Sequence, residues 1–195
     1  MTHRIHILAL TAFLSLFVFA SSNSAYAARN TAAVNHMKKV ATALVNAQRT
    51  GTRAAFRGVI QKYADLPSIA IYSLGRYKSG LKKSRRAKYF RGVSAFMGRY
   101  FSNQSREYVV AKTAIDPNVT IKGKDVIVST SIKLDTGTNY TVLWRLSKRG
   151  RSFKITDVKV LGFSLTYLQR GMFSSYLRKK DGDVDSLIAA LNRHY

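Results

Sequence analysis

The alternation of side chains between positions 126 and 146 restricts the fold more than any other feature of this sequence. Every second position is apolar or β-branched in 126–134, and the pattern resumes in 140–146. This is the period of strands that bury one face. The polar segment 135–139, with Gly137 at its centre, joins the two runs and is typical of a turn. Because so short a link suits antiparallel pairing, the sequence predicts a β-meander.

Two further runs extend this meander. The segment 108–115 precedes the alternating pair, and 153–160 follows it after a second turn at Lys148-Arg149-Gly150. In the last run the alternation shifts its phase around Asp157. We therefore expect four antiparallel strands.

Helical patterns flank the strands on both sides. Apolar residues recur at helical spacing in 34–45, 56–63 and 69–74, and again after Ser164 and after about Asp183. We expect Ser68 to cap the third of these helices. An antiparallel meander between helices indicates the α+β class.

The longest helical pattern, 84–101, carries an unusually aromatic face. At roughly 100° per residue, large apolar side chains share one broad side of this helix. They are Tyr89, Phe90, Val93, Phe96, Met97, Tyr100 and Phe101. Basic residues such as Arg91 and Arg99 fall on the opposite side.

The N-terminal residues have the layout of a secretory signal peptide. Arg4 precedes an uncharged apolar run over 7–20, and the small-residue pattern Ala25-Tyr26-Ala27 follows. The run is shorter than the ~20 apolar residues that a membrane-spanning helix needs. We therefore predict a cleaved signal peptide over 1–27, one mature domain over 28–195, and a periplasmic location.

The charge of the chain implies an anionic partner. It holds 33 Lys and Arg against 9 Asp and Glu, a formal net charge of +24, and loss of Arg4 with the signal peptide lowers this to +23. Nucleic acid is the default partner of a basic cytoplasmic protein, whereas an exported protein meets anionic lipid head groups. Export therefore favours a membrane surface over nucleic acid.

Residues for the common catalytic and metal sites are missing. The sequence has no cysteine, and of its histidines only His36 and His194 lie in the mature chain, near its two ends. A Ser–His hydrolase would lack its base, and the histidine spacing of zinc sites is absent. The sequence predicts no catalytic residue, no metal and no cofactor.

The acidic residues favour structural roles. The aspartates of 181–185 look like the start of a calcium loop, but Ser186 and Asn192 replace the glycine and glutamate that such a loop requires. Capping of the last helix explains them better. Asp157 is expected to be a structural carboxylate paired with an arginine rather than a catalytic group.

Two stretches carry a resemblance to a known family. The first is Tyr72-Ser73-Leu74-Gly75-Arg76-Tyr77, followed by a basic spacer and then by Tyr89-Phe90 and Phe96. It is similar to the Leu-Gly-x-Tyr segment, short loop and Phe-rich helix of the MlaC family, also called the toluene-tolerance family.

The second stretch is more specific. It begins with Asp157-Val158-x-x-x-Gly162-x-Ser164-Leu165, continues with Arg170 and Phe173, and ends with Gly182 and Leu187-Ile188-x-x-Leu191. Strand, glycine, Ser-Leu, helix and closing Gly/Leu-Ile follow the order seen in the MlaC family. The resemblance extends from about Ala32 to the end of the chain.

This resemblance implies a fold and an activity. MlaC-like proteins have a curved, NTF2-like antiparallel sheet packed with helices around a deep apolar pocket. They are not enzymes. They carry phospholipid across the periplasm between an outer-membrane lipoprotein complex and an inner-membrane ABC transporter bearing an MCE-domain protein, and so maintain the lipid asymmetry of the outer membrane. We accordingly expect a monomer with phospholipid as cargo.

The apolar faces of the predicted helices and strands supply candidate site residues. The faces richest in large apolar groups are predicted to line the lipid pocket, although each residue taken singly fits ordinary core packing as well. The predicted pocket residues are Leu74, Tyr89, Phe90, Val93, Phe96, Met97, Trp144, Val158, Leu165 and Phe173. A basic cluster is predicted to contact a membrane or partner surface, with a merely solvated surface as the alternative. The cluster comprises Lys82, Lys83, Arg85, Arg86 and Lys88.

Three other functions are compatible with parts of the sequence. A periplasmic carrier of another hydrophobic ligand, such as a sterol-like or isoprenoid lipid, would share the signal peptide and the aromatic faces. A nucleic-acid-binding module would explain the charge but not the signal peptide. A small-molecule enzyme on a cone-shaped α+β fold would need a central histidine or paired carboxylates.

The signal peptide can be tested on the exported protein. We expect its N-terminus at Ala28, because cleavage follows the Ala25-Tyr26-Ala27 pattern. N-terminal sequencing of the periplasmic fraction measures this directly. Functional exported protein that retains Met1 would contradict the prediction.

Overall fold

The structure, a computed structural model, describes residues 21–150 and 152–193. Within these residues, six α-helices and six β-strands follow in the order three helices, a helix preceded by 3₁₀ turns, six strands and two helices. The helices are α1 Ser21–Thr50, α2 Arg53–Tyr63, α3 Leu66–Ser73, α4 Arg86–Glu107, α5 Leu165–Arg178 and α6 Val184–Leu191. The strands are β1 Val110–Ile115, β2 Thr120–Lys122, β3 Asp125–Leu134, β4 Asn139–Arg149, β5 Ser152–Val160 and β6 Phe163–Ser164.

Most of the predicted signal peptide, 1–20, lies outside the described residues. Helix α1 begins at Ser21 and passes through the predicted cleavage position after Ala27. Within the described part of the chain, no helix is both long enough and apolar enough to cross a membrane.

The described sheet is an antiparallel meander with six strands rather than four. The order is β1-β3-β4-β5-β6, and β2 pairs with β3 beside β1. The two unpredicted strands have three and two residues, which is too short for a period of two to show in the sequence. The predicted phase shift in β5 is confirmed, because the pairing of β4 with β5 slips between Arg145 and Leu146, as at a β-bulge.

Helix α1 covers part of the apolar face of the sheet. Its residues Ala33, Met37 and Val40 are almost fully buried in one cluster with strand residues such as Val128 and Leu146. These strand residues have the alternating burial that the sequence predicts for β3 and β4. The α1–sheet contact is therefore a conventional hydrophobic interface.

A second cluster is built from helices. Residues of α3, α4, α5 and α6 enclose Tyr89 and Val93 of α4, which are fully buried. Helix α4 also buries small residues, Gly92 and Gly98 among them. A Cβ atom at Gly92 would lie 2.8 Å from Leu191 Cβ, and one at Gly98 would lie 2.9 Å from the carbonyl oxygen of Arg53. Glycine at these positions therefore lets α6 and α2 approach α4 closely.

Side-chain caps define several helix starts. Ser164 accepts a hydrogen bond from Tyr167 N, and Asp183 accepts from the amides of Asp185 and Ser186, as predicted. The prediction for α3 was wrong: its cap is Asp65, which accepts from Ser68 N at 3.3 Å. The sequence pattern did not reveal that α3 begins at Leu66, before Pro67. Proline is tolerated in the first turn of a helix, because the amide that it lacks would have no partner within the helix there.

Asp157 has the structural role that was expected, with different partners. Its carboxylate accepts from Ser164 Oγ at 2.8 Å and from Thr166 N at 3.3 Å. It therefore joins β5 to the first turn of α5, where a negative charge suits the helix dipole. Arg145 lies opposite it in the sheet register, but the hydrogen bonds come from Ser164 and Thr166.

Asp65 links the helices to the sheet. It accepts from Arg149 Nε at 2.9 Å and pairs with Arg149 Nη2 at 2.6 Å, and its own amide donates to Ile155 O at 2.8 Å. Burial alone would raise the pKa of the Asp65 carboxyl, but the hydrogen bonds from Ser68 and Arg149 outweigh it and hold the pKa below its ordinary value.

This ion pair predicts an acid-sensitive contribution to stability. Because the pKa of Asp65 is lower in the folded chain, its contribution is present above the unfolded pKa of about 4 and is lost as pH falls through the folded value. We expect Arg149→Gln to lower the free energy of unfolding by about 1–2 kcal/mol at neutral pH, since Asp65 is nearly buried and Arg149 is half-exposed. Urea denaturation at several pH values measures this. A loss that is the same at pH 3 and pH 7 would show that Arg149 acts through packing instead.

Candidate ligand-binding groove

An open groove of about 770 Å³ lies between α3, α4 and α5. This volume is within the range of about 300–1,000 Å³ that small-molecule sites occupy. The lining residues are Pro67, Ser68, Ile71, Tyr72, Gly75, Lys78, Arg86, Phe90 and Arg170.

The groove combines an apolar surface with a basic rim. Ile71 and Phe90 are partly buried and pack against the helical cluster. Lys78, Arg86 and Arg170 bring positive charge from three separate segments, and none of the described residues that line this groove carries a carboxylate. Such a site suits an amphipathic ligand whose polar end is anionic.

Arg170 is held in place by two neighbours. Its guanidinium lies over the ring of Tyr72, with 5.0 Å between the guanidinium carbon and the ring centroid. It also approaches Gly75, where a Cβ atom would lie 2.9 Å from Arg170 Nε. Gly75 also has a φ of +55°, a conformation that glycine adopts without strain. Glycine at position 75 thus permits both the turn after α3 and the close approach of Arg170.

The two sequence stretches that carry the family resemblance meet here. Leu74 is fully buried in the helical cluster with Phe173 and Ile188. The ring of Tyr77 packs on Gly182, where a Cβ atom would lie 3.2 Å from the ring. The Leu-Gly-x-Tyr segment therefore contacts α5 and the turn before α6, although about a hundred residues separate them.

Buried hydrogen bonds tie the helices beneath the groove together. Tyr89 Oη donates to Ala70 O at 2.8 Å, and burial raises the pKa of this phenol. Gln169 Nε2 donates to Ser73 Oγ at 2.8 Å, and Ser73 Oγ donates to Ile69 O at 2.8 Å. These bonds join α3 to α4 and α5 with donors and acceptors that would be costly to leave unpaired.

The predicted pocket residues fall into two main groups. Seven of them lie together in or against the helical cluster: Leu74, Tyr89, Phe90, Val93, Phe96, Met97 and Phe173. Trp144 and Val158 are paired neighbours on the sheet, where both contact the α1–sheet cluster and a second apolar cluster made of strand residues. Leu165 is half-buried at the start of α5. The predicted pocket residues therefore comprise one group on the helices, one pair on the sheet and Leu165 at the start of α5.

The predicted basic cluster is divided in the structure. Lys82, Lys83 and Lys88 are exposed. Arg85 Nε pairs with Asp185 at 2.8 Å, which ties the start of α4 to α6. Arg86 lines the groove. One member of the cluster thus faces the candidate ligand site, beside surface lysines.

Some residues at this site were not predicted. Lys78 and Arg170 line the groove, and both lay in or beside the family-like stretches. An apolar patch on the turn before β6, on β6 and on α5 is strongly exposed: Leu161 at 70%, Phe163 at 65% and Tyr167 at 65%. The sequence signal was the run of large side chains in 161–172, which contains more apolar residues than one buried helix face can accommodate.

Comparisons with known proteins agree with the fold and with the family resemblance of the sequence. The profile of the family described as MlaC protein matches residues 30–193. The chain belongs to the MlaC family. A solved structure titled as a phospholipid-binding protein from Ralstonia solanacearum in complex with a phospholipid has the same fold, with a TM-score of 0.65 at 16% identity. The match covers 81% of this MlaC-family chain and 93% of that chain. None of the curated proteins compared with it matches significantly.

The role of Gly75 in this groove can be measured. We expect Gly75→Ala to lower the free energy of unfolding by about 2 kcal/mol, because it combines a strained φ with a clash against Arg170. Gly123→Ala is the matched control: Gly123 has a similar φ of +58°, but nothing lies within 4 Å of its Cβ position. Chemical denaturation compares the two. Equal losses would mean that Arg170 moves aside at no cost.

Proposed function

We propose that this chain is a periplasmic phospholipid carrier that shuttles lipid between an outer-membrane lipoprotein complex and an inner-membrane ABC transporter with an MCE-domain protein. The groove carries the proposal, because an apolar surface and a carboxylate-free basic rim meet there and family-like segments build both. Membership of the MlaC family and the phospholipid-binding neighbour support it.

We assign the lipid phosphate to the rim of the groove. Arg170 is oriented by Tyr72 and can offer two parallel N–H groups to a phosphate. Lys78 and Arg86 add charge from neighbouring segments. A neutral sterol or isoprenoid would leave these cations without a counter-charge, so the rim favours a phosphate-bearing lipid over other hydrophobic cargo.

We assign the acyl chains to a deep apolar pocket between the helical layer and the sheet. Trp144 and Val158 would face such a pocket from the sheet, where they contact a cluster whose described members all belong to strands. Trp144 Nε1 and Thr130 Oγ1 are buried there without a hydrogen-bond partner among the described residues. Ester carbonyl oxygens of a glycerolipid would satisfy both donors. Burial of the chains would contribute about 0.8 kcal/mol per CH₂.

Two exposed surfaces suit contact with membranes and transport complexes. The apolar patch of Leu161, Phe163 and Tyr167 has the character of an interaction site. The exposed lysines Lys82, Lys83 and Lys88 lie near the rim residue Arg86 in sequence, and each basic residue adds about 1 kcal/mol of attraction near an anionic bilayer. Binding and transfer, rather than catalysis, explain both surfaces.

The proposal is tested by identifying the lipid and locating its parts. We expect native mass spectrometry of protein purified from its own periplasm to show one bound phospholipid. Trp144 is the single tryptophan of the chain, so a phospholipid brominated on its acyl chains should quench the fluorescence of delipidated protein if the chains reach the sheet. Absence of any co-purifying phospholipid would reject the carrier function.

Charge-reversal variants, measured in the same lipid titration, test whether the lipid phosphate binds at the rim of the groove. We expect Arg170→Glu to weaken lipid binding about tenfold or more, since it removes a phosphate donor and adds a repulsive charge. Arg106→Glu is the control with the same charge change at the exposed end of α4, and it should bind as the wild type does. Equal affinities for all three proteins would place the phosphate elsewhere. Bound lipid without quenching would place the acyl chains away from Trp144.

A further inference from the structure

The apolar patch of Leu161, Phe163 and Tyr167 continues along α5. Leu168 is 44% exposed and Met172 is 46% exposed. These two side chains are neighbours on the helix surface, because Met172 follows Leu168 by one turn. We call these five residues the hairpin–α5 surface.

The tip of the hairpin holds a leucine in an unfavourable backbone conformation. Strands β5 and β6 are joined by Leu161 and Gly162 alone, since Val160 pairs with Phe163. The φ angles are +51° at Leu161 and +85° at Gly162, as in a type I′ turn, whose first central position is normally Asn, Asp or Gly. A leucine there costs conformational energy, and at 70% exposure it gains little from burial. Neither backbone preference nor packing explains leucine at this position.

The hairpin lies beside the apolar face of the sheet. Residues directly opposite one another in an antiparallel pair have their side chains on the same face, so Phe163 shares the face of its partner Val160. Val160 packs against the cluster of strand residues that Trp144 and Val158 also contact. Because Phe163 is largely exposed, it extends this apolar face to the surface of the molecule.

Helix α5 connects the hairpin–α5 surface to the groove. Arg170, on the rim of the groove, follows Tyr167 by three residues and precedes Met172 by two on this helix. A bilayer that received Tyr167 and Met172 would therefore have the basic rim of the groove close to its head groups. The hairpin–α5 surface thus adjoins both the proposed phosphate site and the proposed acyl-chain site.

The charge of this segment favours an anionic bilayer as the partner. Asp157 precedes it and Asp181 follows it, but 158–180 itself contains no Asp or Glu. Its basic residues are Lys159, Arg170, Arg178, Lys179 and Lys180, and all except Arg170 are exposed. Apolar side chains flanked by lysine and arginine are typical of segments that lie in the interface of an anionic membrane. Protein–protein interfaces, in contrast, are depleted in lysine.

We propose that the hairpin–α5 surface inserts into the interface of an anionic bilayer when the protein exchanges lipid. This inference rests on the proposed carrier function and names the partner of that surface. The apolar side chains would enter the boundary between head groups and acyl chains, and the flanking cations would remain with the lipid phosphates. A phospholipid could then move between bilayer and groove with its acyl chains shielded from water.

Vesicle binding by the exported protein tests the proposal. We expect stronger binding to vesicles of phosphatidylglycerol and phosphatidylcholine in equal amounts than to vesicles of phosphatidylcholine alone. The double variant Leu161→Asn/Phe163→Thr should bind the anionic vesicles roughly tenfold more weakly, because it removes two large apolar groups. Leu143→Thr is the control: Leu143 is 38% exposed, but it pairs with Lys159 and so lies on the opposite face of the sheet from Phe163. It should bind as the wild type does.

The single variant Leu161→Asn separates insertion from folding. Asparagine adopts the left-handed conformation of this turn more readily than leucine does, so we expect Leu161→Asn to melt at a higher temperature than the wild type and yet to bind the vesicles more weakly. Weaker binding by a more stable protein cannot result from misfolding. Equal binding by the wild type, Leu161→Asn and the folded double variant would overturn the proposal.

A fluorescent label distinguishes insertion from adsorption by net charge. The chain contains no cysteine, so Phe163→Cys and Leu143→Cys each provide one site for a polarity-sensitive dye. We expect the dye at position 163 to shift to the blue when anionic vesicles are added, and the dye at position 143 to change little. The shift of the bound protein should persist in added salt, which screens only the electrostatic attraction. Equal responses at both positions would contradict insertion.

Failure of this inference and failure of the carrier function give different results. Protein that co-purifies with phospholipid but does not bind anionic vesicles would reject insertion and leave the carrier function in place, with a protein as the partner of the hairpin–α5 surface. Vesicle binding that depends on Leu161 and Phe163, in a protein without any co-purifying phospholipid, would support this surface as a bilayer contact and reject the carrier function.

Discussion

Close packing against α4 is the constraint on which the rest of this structure depends. At Gly92 and Gly98 the neighbouring helices come so near that any Cβ atom would overlap atoms of α6 or α2. Because α6 and α2 are held there, α4 presents Arg86 and Phe90 to one cavity and Arg91 and Ala95 to another. Two chemically different surfaces thus share one central helix.

Electrostatics explain why these surfaces favour anions. The chain carries a formal net charge of +24, and its described ion pairs, Arg85–Asp185 and Arg149–Asp65, serve to join structural elements. None of the described residues that line the two cavities carries a carboxylate. An anionic ligand at the groove would reduce the repulsion among Lys78, Arg86 and Arg170, so that binding and stability would be linked.

The aromatic face of 84–101 shows what helical periodicity can predict and what it cannot. It correctly placed Tyr89 and Val93 toward the interior, because helical spacing alone decides which side chains share a face. It did not reveal that Gly92 and Gly98 are also buried, since a glycine carries no hydrophobic signal. Whether Phe96 and Met97 line a cavity or a closed core depends on distances between helices, which no pattern within one helix contains.

The sequence by itself determined the element types, the antiparallel meander, the bulge in β5 and the family, because each is written in local spacing or in short motifs. The sequence pattern did not predict strands β2 and β6, since three and two residues are too few to show a period. Only the tertiary structure decided that Arg170 would lie beside Gly75 and that Arg57 would share a cavity with Arg91. These neighbours are distant along the chain, and their meeting depends on how closely whole helices pack, which is a property of the assembled core.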